Sequence, residues 1–201
     1  MIPKMRRSKQ LLPAEECTAI LETAPYGVLG TGGTNGVPYA VPLSFAYLRP
    51  AEEDEPSGGF IYAHCATVGH KLDALAENPR VCLTVVDQSE PVPEKLTDRF
   101  RSVMAFGTAR LVEDEDEKCL GLVALGEKYA PGLDDLVDKE IASTLHRTCV
   151  IAIDVEHITG KEGLELLRER VRYPCAEKAP GRRGAGRRSG RPHCCPVLTF
   201  P

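Results

Sequence analysis

Hydrophobic residues along the chain occur in short runs and alternating stretches that are typical of β-strands. The pattern predicts six strands, over residues 25–30, 37–48, 60–64, 81–86, 100–112 and 149–155. Between the first two runs lies Asn35-Gly36, and both residues tolerate the positive φ angles that a tight hairpin turn requires. The first two strands are therefore expected to pair antiparallel.

The predicted strand at 100–112 is largely apolar on both of its alternating faces. One face carries Phe100, Ser102, Met104, Phe106 and Thr108, and the other carries Val103, Ala105, Ala109 and Leu111. Strands that are apolar on both sides are usually covered on both sides. We therefore expect protein to contact each face of this strand.

Four helices are predicted, over residues 13–23, 68–77, 113–129 and 133–146. They stand at the corners of the strand pattern and do not follow every strand, which favours a small antiparallel barrel over a doubly wound sheet. The predicted fold class is mainly β, of the α+β kind, with a few peripheral helices.

Charge divides the chain into two parts. The net charge is -4, yet the residues from Arg172 onward hold seven basic side chains against Glu177 alone, which is +6 and leaves -10 for residues 1–171. Residues 172–201 are rich in Gly, Pro and Arg and lack hydrophobic periodicity, so a disordered basic tail is predicted after a single domain at 1–171. Only this tail could contact nucleic acid, which the acidic domain would repel, so no nucleic-acid partner is expected.

The chain has no run of about 18 apolar residues and no signal-peptide core near its start, so we expect neither a membrane span nor secretion. Its eight cysteines form no C-x-x-C pair. This favours small, buried, reduced thiols over disulfides or zinc ligands. The expected location is the cytoplasm.

Candidate chemistry is concentrated where a predicted strand passes into a helix, in "FIYAHCATVGHKLDAL" at residues 60–75. Thr67 is a candidate N-cap, Gly69 allows a ligand to approach the backbone, and His70 and Lys71 follow in the first helical turn. Free N–H groups and the helix dipole at such a start attract anions, and Lys71 adds a full charge. The segment predicts a phosphate site; the alternative is that His70 and Lys71 are only solvated helix residues.

A metal site at this segment is not expected. His64 and Cys65 point to opposite faces of a strand and cannot easily share one ion. His70 and Asp73 supply only two ligands.

Four stretches resemble successive motifs of the FMN-binding split-barrel superfamily, in its pyridoxamine-5'-phosphate-oxidase-like, nitroimidazole-resistance (Nim-like) branch: "VPYAVPLSFAY", "IYAHCATVGHKLDAL", "PRVCLTVVDQ" and "FRSVMAFGTARLVEDEDEK". The closing stretch "IDVEHITGKEGLEL" is similar to the end of that branch. The resemblance runs in order from Met5 to Leu167. It implies a homodimer of six-stranded antiparallel Greek-key split β-barrels, with FMN at the subunit interface.

The resemblance also implies ten cofactor-binding residues, namely Val41, Pro42, Leu43, Ser44, His64, Cys65, Ala66, His70, Lys71 and Ser102. The first four would offer backbone groups to the flavin ring, and the strand end at 64–66 would reach the cofactor. His70 and Lys71 match positions that grip the phosphate, and Ser102 matches a position contributed by the partner subunit. His64 is the candidate catalytic residue; a purely structural role beside the cofactor stays open. Cys65 is expected to be a packed thiol, not a redox centre.

The function implied is that of an FMN-dependent oxidoreductase, a reductase of small electron-poor acceptors of the nitroimidazole, nitroaromatic or quinone type. A reduced nicotinamide, NAD(P)H, is the expected donor. Pyridoxamine-phosphate oxidase activity itself is not expected, because the chain has no Trp and lacks the basic, Trp-containing end of those enzymes. Two alternatives stay open: a haem-binding or haem-processing split barrel with His64 or His70 as axial ligand, and a non-enzymatic flavin-binding protein.

Overall fold

The computed structural model describes residue 2, residues 5–50 and residues 58–172. The predicted disordered tail lies outside the described residues, apart from Arg172. The strands are β1 Gly27–Thr31, β2 Tyr39–Leu43, β3 Ala46–Leu48, β4 Phe60–Cys65, β5 Arg80–Val92, β6 Thr97–Leu111 and β7 Cys149–Glu162. The helices are α1 Ala14–Thr23, α2 His70–Glu77, α3 Glu115–Tyr129, α4 Asp134–Thr144 and α5 Leu164–Arg172. Short 3-10 turns cover Ser8–Gln10, Pro93–Lys95 and Leu145–Arg147.

The seven strands form one antiparallel sheet in the order β2-β1-β5-β6-β7-β4-β3. The predicted first hairpin is confirmed, since β1 and β2 pair antiparallel around Asn35 at φ 54° and Gly36 at φ 75°. Among the described residues, none of the helices combines the length and apolar character that crossing a bilayer requires.

The predicted number of strands is wrong, because the stretch 37–48 is divided at Ser44 and Phe45 into β2 and β3. The hydroxyl of Tyr129 accepts a hydrogen bond from the backbone N–H of Phe45 at 2.9 Å and lies 3.1 Å from the Phe45 carbonyl oxygen. The Phe45 N–H is thereby satisfied by a side chain instead of a neighbouring strand, and the single hydroxyl proton is shared between the carbonyl oxygens of Phe45 and Pro25, the latter at 2.7 Å. The Phe45 ring is fully buried, so both the side chain and the backbone of Phe45 hold the break in place.

The sheet is an open barrel. β2 and β3 form its two edges and do not pair with each other, yet only Ser44 and Phe45 join them. A residue spans at most about 3.6 Å of extended chain, so the two edges must curl close together. The predicted six-stranded barrel is thus a seven-stranded sheet that curls without closing.

The core lies inside the curled sheet. Its fully buried side chains come from most strands and from α1, and include Leu21, Leu29, Phe45, Ile61, Leu83, Val85, Val103, Ile151 and Ile153. On β6, where both faces are predicted to be covered, one face is buried at Val103, Ala105 and Ala109, whereas Leu111 on the same face is 47% exposed at the strand end. The opposite face of β6 is only partly covered within the chain.

Three strands extend further than their hydrophobic patterns predict. β5 and β6 continue to the turn at Pro93–Lys95, and β7 continues to Glu162. Charged side chains hold this extension together, including the Arg99–Glu169 pair at 2.6 Å to α5, a helix that the pattern did not predict.

Candidate functional site

The strand-to-helix joint opens a space at the start of α2. The residue before the helix is Gly69, at φ 143°, a conformation that side chains disfavour. The predicted N-cap at Thr67 is wrong: the helix begins three residues later, and no side chain caps it. The N–H groups of His70 and Lys71 therefore have no acceptor within the helix. A Cβ built on Gly69 would meet no atom within 4 Å, so the space in front of the joint is open.

The two faces of β4 differ, as the alternation of a strand requires. His64 is exposed, whereas Cys65 is partly buried and packs against the core. The two side chains therefore do not meet at one ligand. In the part of the chain described by the structure, no three His, Cys, Asp or Glu side chains converge so as to hold a metal ion.

Lys71 lies close enough to the end of β4 to act on Cys65. Burial raises the pKa of the Cys65 thiol to about 11, with a further contribution from Cys149, its cross-strand neighbour in β7. The Lys71 ammonium group works against this shift and lowers that pKa. Cys65 is thus a neutral thiol at neutral pH, and the positive charge of Lys71 is placed at the joint.

Helix α2 follows β4 in the chain and lies beside β2. It packs against β1 and β2, and the rings of Tyr39 and His70 meet edge to face with centroids 4.7 Å apart. In β2 the side chains of Val41 and Leu43 pack against the core, while Pro42 is exposed on the other face. β2 is an edge strand, which leaves backbone groups of its outer side open to a ligand.

Ser44 lies partly buried at the break between β2 and β3, and Ala66 is exposed directly after β4. Ser102 lies elsewhere. It belongs to β6, which is separated from β2 by two strands, and its cross-strand neighbours are Val86 and Lys161. One chain therefore does not bring Ser102 to the other predicted site residues.

The sequence did not indicate Tyr39 or Cys149 as part of this region. Tyr39 could have been found, because it alternates with Val41 on the same strand face. Cys149 could not, since its proximity to Cys65 depends on the pairing of β4 with β7, which local pattern does not reveal.

Comparison with known proteins identifies the family. The family model for pyridoxamine 5'-phosphate oxidase matches residues 13–162, three quarters of the chain. The chain belongs to this family. The family predicted from the sequence motifs is thereby confirmed. A search of the curated proteins found no match.

Several solved structures share the family fold. A proposed 5-nitroimidazole antibiotic resistance protein from Bacteroides thetaiotaomicron is 24% identical, with 76% of this chain and 86% of that chain covered and a TM-score of 0.58. The flavocytochrome Anf3 from Azotobacter vinelandii is 22% identical, with coverages of 98% and 92% and a TM-score of 0.61. An FAD- and haem-binding protein from Mycobacterium smegmatis is 23% identical, with coverages of 78% and 74% and a TM-score of 0.60. At these identities the likeness concerns the fold.

Proposed function

We propose that this chain binds FMN and passes electrons from a reduced nicotinamide to a small electron-poor acceptor, such as a nitroaromatic compound or a quinone. Membership of the pyridoxamine 5'-phosphate oxidase family supports a flavin as the cofactor. The names of two fold relatives, a flavocytochrome and an FAD- and haem-binding protein, support it further. The single observation that carries the proposal is the open, uncapped start of α2, with Lys71 in its first turn.

The joint fits a phosphate group on physical grounds. The N–H groups of His70 and Lys71 have no helical acceptor, and the partial positive charge of the helix start favours an anion. The positive charge of Lys71 acts on Cys65 at the end of β4 and lowers the pKa of that thiol. In this proposal these groups bind the phosphate, while backbone groups at 41–44 and 64–66 contact the flavin ring.

The bound flavin supplies the capacity to accept a hydride and release electrons singly or in pairs. The protein's part is to orient the ring and exclude water from it. His64 is exposed at the end of β4, on the face opposite the core. We assign it the role of hydrogen-bonding the acceptor or giving it a proton.

We further propose that the protein forms a homodimer and is located in the cytoplasm. The outer face of the sheet supports the homodimer. Val28, Val86 and Met104 are 43%, 63% and 37% exposed. The strand register places them on one face together with Ser102, because Thr84 lies opposite both Val28 and Met104, and Val86 lies opposite Ser102. A second copy packed on this face would bury the apolar side chains and place its own Ser102 near the cofactor.

A haem protein is the second candidate. It is favoured by the exposed His64 and His70, either of which could be an axial ligand, and by the two fold relatives whose names include a cytochrome or haem. The absorption spectrum of the purified protein separates the two candidates. A flavin spectrum supports the proposal, and a Soret band supports the haem protein.

Electron transfer is tested by anaerobic stopped-flow. The flavin-loaded protein is mixed first with NADPH or NADH and then with a nitroaromatic compound or a quinone. We expect bleaching of the flavin by the donor and recovery by the acceptor. A flavin that no donor reduces and no acceptor reoxidises would instead identify a non-enzymatic flavin-binding protein.

A further inference from the structure

A second group of basic residues lies away from the joint, around a cleft of about 290 Å³ lined by Met5, Arg6, Arg7 and Lys161. We call this the basic cleft. Lys161 lies near the C-terminal end of β7, and the other three residues precede the 3-10 turn Ser8–Gln10. The two halves of the cleft are therefore far apart in sequence and meet only in the fold.

Hydrogen bonds hold the N-terminal half of the basic cleft against β7. The buried side chain of Gln10 donates to the Glu162 carbonyl oxygen at 2.9 Å, and the backbone N–H of Leu12 donates to the Gly160 carbonyl oxygen at 3.1 Å. Leu11 forms a β-bridge with Lys161. The backbone N–H of Gln10 donates to the Arg7 carbonyl oxygen at 3.0 Å. These bonds hold the backbone that follows the arginines against β7.

The part of the chain that the structure describes does not neutralise the positive charges of the basic cleft. Within residues 5–50 and 58–172, no carboxylate forms a salt bridge with Arg6, Arg7 or Lys161. The nearest acidic residue in sequence, Glu162, is buried and paired with Arg170. Lys161 instead lies with its ammonium group 5.0 Å from the centre of the Phe100 ring. Three uncompensated cations in an otherwise acidic domain repel one another, and an anion between them would remove that cost.

We propose that the basic cleft binds a phosphate group. Arginine guanidinium groups match phosphate oxygens in pairs of parallel hydrogen bonds, and a lysine adds a point charge. The cleft volume lies just below the usual range for ligand pockets, which suits a phosphate or diphosphate rather than a whole nucleotide.

The position of the basic cleft is compatible with two molecules as the source of this phosphate. Lys161 lies opposite Ser102 across the β6–β7 pairing, so the cleft borders the sheet face proposed above as the dimer interface. The phosphate belongs either to a reduced nicotinamide dinucleotide docking beside the flavin or, if the flavin phosphate does not occupy the start of α2, to the flavin nucleotide. This choice of source rests on the proposed function; the binding of phosphate does not.

Calorimetric titration of the full chain with inorganic pyrophosphate tests the proposal. The Lys71→Ala chain, freed of flavin, is used so that binding at the start of α2 does not contribute. We expect saturable binding that weakens at least about tenfold in the added double variant Arg6→Gln/Arg7→Gln and in the added variant Lys161→Met, since each loses charged hydrogen bonds. Lys139→Ala, on the exposed side of α4, is the matched control and should bind as its parent. No binding by the parent, or equal binding by the charge-neutral variants, would overturn the proposal.

A repeat with flavin-loaded wild-type protein identifies the source. Loss of pyrophosphate binding on loading indicates that the flavin nucleotide places its phosphate in the basic cleft, and it would contradict the assignment of that phosphate to the start of α2. Retained binding indicates a second nucleotide, and the KM for NADPH or NADH should then rise in Lys161→Met while reduction by dithionite is unchanged. Both results support a phosphate site. A protein that takes up no flavin would refute the proposed function. The pyrophosphate titration would still test whether the basic cleft binds phosphate.

Discussion

Lys128 shows how strongly the surroundings of one side chain can alter its chemistry. Its ammonium group lies 3.8 Å from the centre of the Phe45 ring and donates a hydrogen bond to the Leu21 carbonyl oxygen at 3.2 Å. Burial lowers the pKa of Lys128 to about 8, and the carboxylate of Glu22 only partly offsets this. The folded protein therefore holds this proton less tightly than the unfolded chain does.

The buried Lys128 should make the free energy of unfolding increase with pH. Between pH 8 and about 10.5 the native state releases the proton while the unfolded state keeps it, so the free energy of unfolding rises with pH in this window. Relative to Lys128→Met, the wild type should gain stability from pH 8 to pH 10 and show a constant difference below pH 8. Urea unfolding at several pH values measures this, with Lys139→Met as the exposed control. A difference that does not vary with pH would contradict the burial of this charge.

Single residues could be predicted from sequence where their conformation is set locally. The positive φ angles of Asn35 and Gly36 follow from the residue types alone. The N-cap at Thr67 could not be predicted correctly, because it depends on where the helix starts. An exposed loop at 66–69 delays that start, and Gly69 takes the last position before the helix.

At the level of elements, the division of β2 from β3 is caused by a residue far away in sequence. The hydrophobic pattern of 37–48 is nearly continuous and favours one strand. Tyr129, at the end of α3, binds the backbone of Phe45 and removes it from the ladder. Local periodicity contains no information on such a contact, so the strand count could not be predicted.

Tyr129→Phe should therefore destabilise the fold. The variant keeps the ring but leaves the buried backbone N–H of Phe45 without its hydrogen-bond acceptor, at a cost of about 1–3 kcal/mol. Chemical denaturation measures the change in the free energy of unfolding. Tyr26→Phe is the matched control, because that side chain is 66% exposed. Equal effects of the two substitutions would argue against the role given to the Tyr129 hydroxyl.

The ends of β5, β6 and β7 escaped prediction for a different reason. Residues 87–92 and 156–162 are mostly polar, so no apolar alternation marks them as strands. Ion pairs such as Arg101–Asp87 at 2.8 Å hold these ends together instead. Because such pairs form only between elements already brought together by the core, they leave little trace in a single stretch of sequence.

For the whole molecule, the exposed sheet face around Met104 should control assembly. A carboxylate placed there would have to be buried without a partner if a second copy packs on the face, which is strongly unfavourable. Met104→Glu is therefore expected to convert a dimer into a monomer and to lower the flavin content. Light scattering coupled to gel filtration measures the mass, and Leu136→Lys, on an exposed position of α4, is the control. A monomeric wild type, or a variant that stays dimeric, would contradict the proposed interface.

The sequence indicated the segments of the candidate site but not their arrangement. The residues of the joint were proposed because a strand and a helix meet there in a short stretch of polar residues. The link from α2 to β2 through Tyr39 and His70 arises from tertiary packing. A site formed by two chains produces an even weaker local sequence signal, and Ser102 was assigned to it by family resemblance alone.

The central claim is that the start of α2, with Lys71, holds the phosphate of the cofactor. Binding of FMN and of riboflavin, which lacks the phosphate, to wild type and to Lys71→Ala tests it most directly. We expect Lys71→Ala to weaken FMN binding by about 10- to 150-fold, the equivalent of a charged hydrogen bond of about 1.5–3 kcal/mol, and to leave riboflavin binding unchanged. Lys139→Ala should behave as wild type. Equal affinity of the wild type for the two flavins, or an unchanged FMN affinity in Lys71→Ala, would contradict the account.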